Sequence, residues 1–175
     1  MLVLAAAWGI LGVLAILGCA VARIYPVALS AFDGHSFGVV EWVVFALWLV
    51  FMVYAEGVKG FHRAFSPRVV SRARALMDHP NVLACLLAPF YCFGFFYATR
   101  KRKIVSWAVA TGIVVLILSV RLLPQPWRGI IDVGVVAGLG IGMLSILYFT
   151  GRWIFGCPAD YAADLPSEVD SPRQP

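Results

Sequence analysis

The sequence predicts an all-α polytopic membrane helix bundle. It has four full spans, one re-entrant or fifth spanning hydrophobic helix, and a basic amphipathic helix at the interface. Three observations predict it. The 175-residue chain is 62% hydrophobic and 13% charged, with mean hydropathy +0.89, whereas a soluble domain carries about a quarter charged residues. The apolar residues run in continuous blocks of about 20, the length that crosses the hydrocarbon as a helix, without the alternation of a barrel strand. Net charge is +5, and nine of the fourteen Lys and Arg fall between Lys59 and Lys103.

Leu2 to Ala22 is the first block, closed by Arg23, Tyr25 and Pro26. No basic residue precedes it, so "AILGCA" reads as part of an uncleaved span rather than as a lipoprotein signal with Cys19 as acceptor. Residues 26–38 form a polar loop. Val39 to Gly57 is the second block, with Glu41 near its start and Glu56 near its end.

The basic loop 59–81 follows. Ser66-Pro67 reads as a helix start, since Ser caps free N–H groups and Pro lacks the N–H that the first turn cannot use. From there Val69, Ala73, Leu76 and Met77 share one face, with Arg68, Arg72, Arg74 and Asp78 around the rest, and Pro80 ends the helix. Such a helix suits the headgroup plane of an anionic leaflet. The predicted anionic-lipid contacts are Lys59, Arg63, Arg68, Arg72, Arg74 and the run Arg100, Lys101, Arg102, Lys103, each contributing about 1 kcal/mol near the surface.

Val82 to Thr99 is apolar enough to span but is interrupted by Pro89 and Gly94. Basic residues in short loops stay cytoplasmic. If 82–99 crosses fully, the two cationic clusters lie on opposite sides; if it dips and returns, they share one side with both termini. The re-entrant reading is preferred. It requires neighbours to cover Pro89, because irregular backbone at membrane depth must be buried in protein. Ile104 to Val120 and Gly129 to Thr150 are the remaining spans, the last bracketed by Trp127 and Trp153, as interfacial aromatics are. Residues 1–155 form the membrane bundle, including the cytoplasmic basic loop 59–81, and 156–175 an acidic, Pro-rich, disordered tail that can fold back on the basic loop.

The candidate polar site comprises Glu41, Glu56, Lys59, Arg128 and Asp132, since intramembrane ionisable groups are functional candidates by default. Glu56 is expected to pair with Lys59 at i,i+3, and Asp132 with Arg128 or Arg121. Glu41 and Glu56 stand about 22 Å apart along one helix and cannot form an acid/base pair. Glu56 and Asp132 are expected to sit toward opposite membrane surfaces and flank a pathway. Gly134, Gly138 and Gly142 form a doubled GxxxG, a surface for close helix packing against the first span (Ala5, Gly9) or a second copy. His35, His62 and His79 are all placed in loops. Cys85 and Cys92 would share a helix face as small buried hydrophobes. No metal spacing, nucleotide loop or hydrolase signature is present, so no cofactor and no nucleic-acid partner is expected.

At "EGVKGFHRAFSPRVVSRA" and "LPQPWRGIIDVGVVAGLG" the chain resembles a family of small hypothetical bacterial inner-membrane proteins, over about Trp42 to Phe149. The resemblance implies a multi-pass bacterial cytoplasmic membrane protein and brings no activity or ligand. The expected function is a non-catalytic accessory or scaffold subunit, with anionic lipid, a second copy or another membrane protein as partners. The alternative is a small oligomeric ion or solute transporter using the intramembrane Glu and Asp. A lipid-modifying enzyme would need a nucleophile or metal set that the sequence lacks.

Overall fold

A computed structural model describes residues 2–33, 37–78, 82–157 and 163. The elements are α1 (Leu2–Leu29), α2 (Val39–Met52), a π-helix (Val53–Phe65), α3 (Ser66–Asp78), α4 (Val82–Leu86), α5 (Ala88–Phe93), α6 (Arg100–Val120) and α7 (Trp127–Ile154), with no strand among the described residues. Four helices are long and apolar enough to cross a membrane: Val3–Leu29, Val39–Asp78, Arg100–Val120 and Trp127–Ile154. This is the expected all-α bundle.

The second of these differs from expectation. Residues 59–65, expected in a loop, are helical and run straight into the helix expected from Ser66, so one unbroken 40-residue rod runs from Val39 to Asp78. Ser66 therefore starts nothing: its own N–H bonds back to the Phe61 carbonyl, and its hydroxyl donates to the Gly142 carbonyl at 3.3 Å. Pro67 is accommodated inside the rod because the i→i+5 winding just before it is wider than an α-turn. A regular turn would press the pyrrolidine ring against the carbonyl four residues back.

The rod and α7 run parallel. Trp48 Nε1 donates to the Ile131 carbonyl at 3.3 Å, and His62 meets Ser145 two-thirds of the way up. Helix α1 runs antiparallel to both, with Gly18 beside Met143 and Ala31 against Gly129. Ala6, Ile10, Val13 and Leu17 of α1 close the core with Val69, Ala73, Leu76, Leu139 and Ile146. At one end the loops are tied by Gln125 Nε2 donating to Ser30 Oγ at 2.9 Å.

Residues 82–93 do not cross. Helices α4 and α5 have 5 and 6 residues and are broken at Leu87, so together they extend under about 20 Å at 1.5 Å per residue. The segment descends along α1, where Trp8 Nε1 donates to the Leu86 carbonyl at 3.3 Å. It reaches Gly12 at Pro89 and turns back past Gly9 at Cys92. Pro89 and Ala88 are buried. The neighbours that the re-entrant reading demands are thus two glycines of α1, whose missing side chains make the room. Gly9 was expected to receive the last span; it receives this hairpin instead. Cys85 and Cys92 lie on different short helices and share no face. Gly94, at φ +83, closes α5 in the left-handed conformation that glycine tolerates.

Helix α6 stands apart. Most of its side chains are exposed; Ser106 and Val120 are buried, and Arg102 and Ala110 are half-buried. Its attachments at the base include the Ser106 hydroxyl donating to the Phe93 carbonyl at 3.0 Å and the Trp107 ring 5.2 Å from that of Phe95.

Candidate functional site

The polar residues that the fold brings together lie between the rod and α7. Three glycines of α7 face four side chains of the rod. An ideal Cβ on Gly134 would meet Trp48 Nε1 at 2.5 Å and Met52 Cγ at 2.9 Å, one on Gly138 would meet Glu56 Oε2 at 2.9 Å, and one on Gly142 would meet Phe61 Cδ1 at 2.6 Å. The glycines recur every fourth residue. Their partners step by four, four and then five, because from Val53 the rod winds as a 13-residue π-helix. The wider winding keeps one face of the rod on the straight glycine groove. The expected internal packing of Gly134, Gly138 and Gly142 is present, with the second helix rather than the first as its partner.

Glu56 is deeper than expected. The helix does not end at Gly57, and Gly138 lies near the middle of the 28-residue α7, between Trp127 at its start and Trp153 near its end. The Glu56–Lys59 pair is not formed. Lys59 is exposed on the outside of the π-helix, because i→i+5 winding returns the fifth residue, not the third, over Glu56. No hydrogen bond or ion pair among the described residues reaches the Glu56 carboxylate.

Above Glu56 on the same face, His62 Nδ1 shares a 3.0 Å hydrogen bond with Ser145 Oγ, and its ring sits 5.3 Å from that of Phe149. His62 was expected in a loop; it is a packed residue of the π-helix. His35 and His79 lie outside the described residues. The sequence placed His62 in a loop before a helix beginning at Ser66, whereas the rod is continuous through both residues.

Glu41 serves its own helix: its Oε2 accepts from the Gly38 N–H at 2.6 Å, an N-terminal cap. The expected ion pair of Asp132 is present, with Arg128 Nε at 3.8 Å from Oδ2. Asp132 sits six residues before Gly138 on α7, about 9 Å along the axis. Glu41, Glu56 and Asp132 thus form no common cluster, and no group of three or more metal-ligating side chains occurs among the described residues.

The basic residues divide. Arg63, Arg74, Arg100, Lys101 and Lys103 are exposed, as lipid contact requires, and Arg68 and Arg102 are partly so. Arg72 is 1% exposed and cannot touch a headgroup. Its Nε donates to the Tyr91 carbonyl at 2.6 Å, its Nη2 to those of Phe96 and Tyr97 at 3.0 and 3.1 Å, and its Nη1 to that of Ala163 at 2.8 Å. The guanidinium also stacks 4.3 Å over the Tyr91 ring. Arg72 therefore clamps the carbonyl end of α5, where the helix dipole favours a cation. The interfacial face predicted for 66–78 is turned inward here: Ser66, Pro67, Val69, Val70, Arg72, Ala73 and Leu76 all pack into the bundle.

The two cationic clusters meet at the same end of the molecule. Arg68 of α3 and Thr99, Lys101, Arg102 and Val105 around the start of α6 line one cleft of about 200 Å³. This is the relation that a re-entrant 82–99 requires. No protein-family model, curated protein or solved structure matches the chain.

Proposed function

We propose that the protein is a non-catalytic accessory or scaffold subunit of a bacterial cytoplasmic membrane, with its basic end toward the cytoplasm. The isolation of α6 carries this reading. Three spans and the re-entrant hairpin satisfy one another, whereas α6 is anchored at its base and presents its length outward. Its outer surface includes Ala108 and Gly112 four residues apart, with no atom within 4 Å of an ideal Cβ on Gly112. Such a pair lets a second transmembrane helix approach closely. The occupant we assign is a spanning helix of another membrane protein. The basic end fixes depth and orientation through anionic headgroups.

Photo-crosslinking from Ala108 and Val115 in native membranes tests this. A discrete adduct with a second membrane protein supports the accessory role. Adducts with lipid alone, or with a second copy alone, overturn it.

One observation favours the transporter alternative. A carboxylate stands near mid-span against a glycine, within a long π-helix, and such windings concentrate at functional sites. Cation or proton flux in proteoliposomes that is lost in Glu56→Gln but kept in Asp132→Asn would replace the accessory reading with transport.

A further inference from the structure

We infer that the cationic cleft between α3 and α6 is the docking site of the chain's own acidic C-terminal segment, held there by Arg72. Three observations place it. Ala163 already touches this end of the molecule, its carbonyl accepting from Arg72 Nη1 at 2.8 Å. Arg68, which lines the cleft, is four residues before Arg72 on α3, just over one helical turn or about 6 Å away along the axis. Asp164 is the next residue after Ala163, and Asp160 is three before it, so chain connectivity alone keeps the backbone of both within about 11 Å of the anchored residue at up to 3.6 Å per residue.

Chain length permits the path. Described structure at the end of α7 reaches Cys157, and six residues to Ala163 extend to about 20 Å. Charge complementarity selects the occupant. The segment after Cys157 holds Asp160, Asp164, Glu168 and Asp170 against Arg173, and the cleft offers Arg68, Lys101, Arg102 and the Thr99 hydroxyl. Once Ala163 is fixed, its neighbouring carboxylates act at high effective concentration, which favours them over groups that arrive from solution.

The basic end therefore divides its charges. Arg68, Lys101 and Arg102 serve the tail. Arg63, Arg74, Arg100 and Lys103 remain for the leaflet.

Zero-length carbodiimide coupling of the full-length protein in nanodiscs tests this, because it joins a carboxylate to an amine only where the two touch. The readout is the set of tail–lysine amides found by mass spectrometry. The expected result is coupling of Asp160 or Asp164 to Lys101 in excess of Lys59 and Lys103, in neutral and in phosphatidylglycerol discs alike. Its yield should fall about fivefold at 1 M salt, where the screening length is near 3 Å. Arg68→Gln with Arg102→Gln should lower the Lys101 yield although Lys101 is kept, with monodispersity in detergent confirming the fold. Even coupling across all three lysines, or none, overturns the proposal. Coupling in neutral discs that disappears in phosphatidylglycerol also overturns it, and assigns the cleft to lipid phosphate.

Discussion

The Glu56 carboxylate rests on the bare backbone of Gly138, with Oε2 only 2.9 Å from where a Cβ would stand. The contact joins the π-helix to the glycine groove of α7 at mid-span, and it explains why the last span repeats glycine every four residues.

Alanine substitutions along α7 should separate by face. Gly134→Ala, Gly138→Ala and Gly142→Ala each force Trp48, Glu56 or Phe61 to move and should destabilise by about 1–3 kcal/mol, as overpacking does. Gly140→Ala and Gly151→Ala meet nothing within 4 Å and should be neutral or stabilise by up to about 1 kcal/mol through helix propensity. Unfolding in mixed micelles measures both sets.

Arg72 and Arg74 are two residues apart and should behave oppositely. Arg72→Met strands the carbonyls of Tyr91, Phe96 and Tyr97, and leaving buried acceptors unsatisfied costs about 1–3 kcal/mol each at the upper limit. Arg74→Gln, on the exposed side, should change stability by under about 0.5 kcal/mol. Thermal aggregation in detergent distinguishes them, and equal effects would contradict the clamp.

Gly12 makes the seat for Pro89. In a chain whose single cysteine is Cys92, which is 1% exposed, a membrane-permeant maleimide should react slowly. Gly12→Leu should expel the hairpin and raise that rate by about tenfold or more, since opening a buried site of a few kcal/mol changes its exposure by such factors. An unchanged rate would show that the hairpin does not depend on this contact.

Glu56→Gln and Asp132→Asn should differ in sign. Asp132 loses a partly exposed pair with Arg128, worth under about 1 kcal/mol. Glu56 has no partner among the described residues, so replacing its carboxyl group by the near-isosteric amide breaks no hydrogen bond or ion pair and should leave stability equal or higher. A clear loss in Glu56→Gln would reveal an interaction in the folded protein that this site does not contain.

Single cysteines at Arg74 and Lys103 should label from one side of the membrane, and cysteines at Asp33 and Leu122 from the other. This follows from Arg68 and Arg102 lining one cleft while Gln125 bonds Ser30 at the far end.

Run length and composition sufficed for the four spans, because in lipid every backbone N–H and C=O must be satisfied within its own segment and a continuous apolar run can only be a helix. Charge distribution likewise favoured a hairpin at 82–99, and the i,i+4 spacing offered Arg128 as a partner for Asp132 beside Arg121, between which the structure chose Arg128. The rest belonged to tertiary contact. Whether Ser66-Pro67 starts a helix or lies inside one depends on the π-winding before it, and that winding is fitted to glycines some 80 residues away. Arg72 and Arg74 look alike in sequence; the carbonyls of a distant hairpin decide which of them is buried. Periodicity assumes one winding throughout, so it misplaced Lys59, His62 and the partner of Gly138, where the protein changes its pitch to keep one face on another helix.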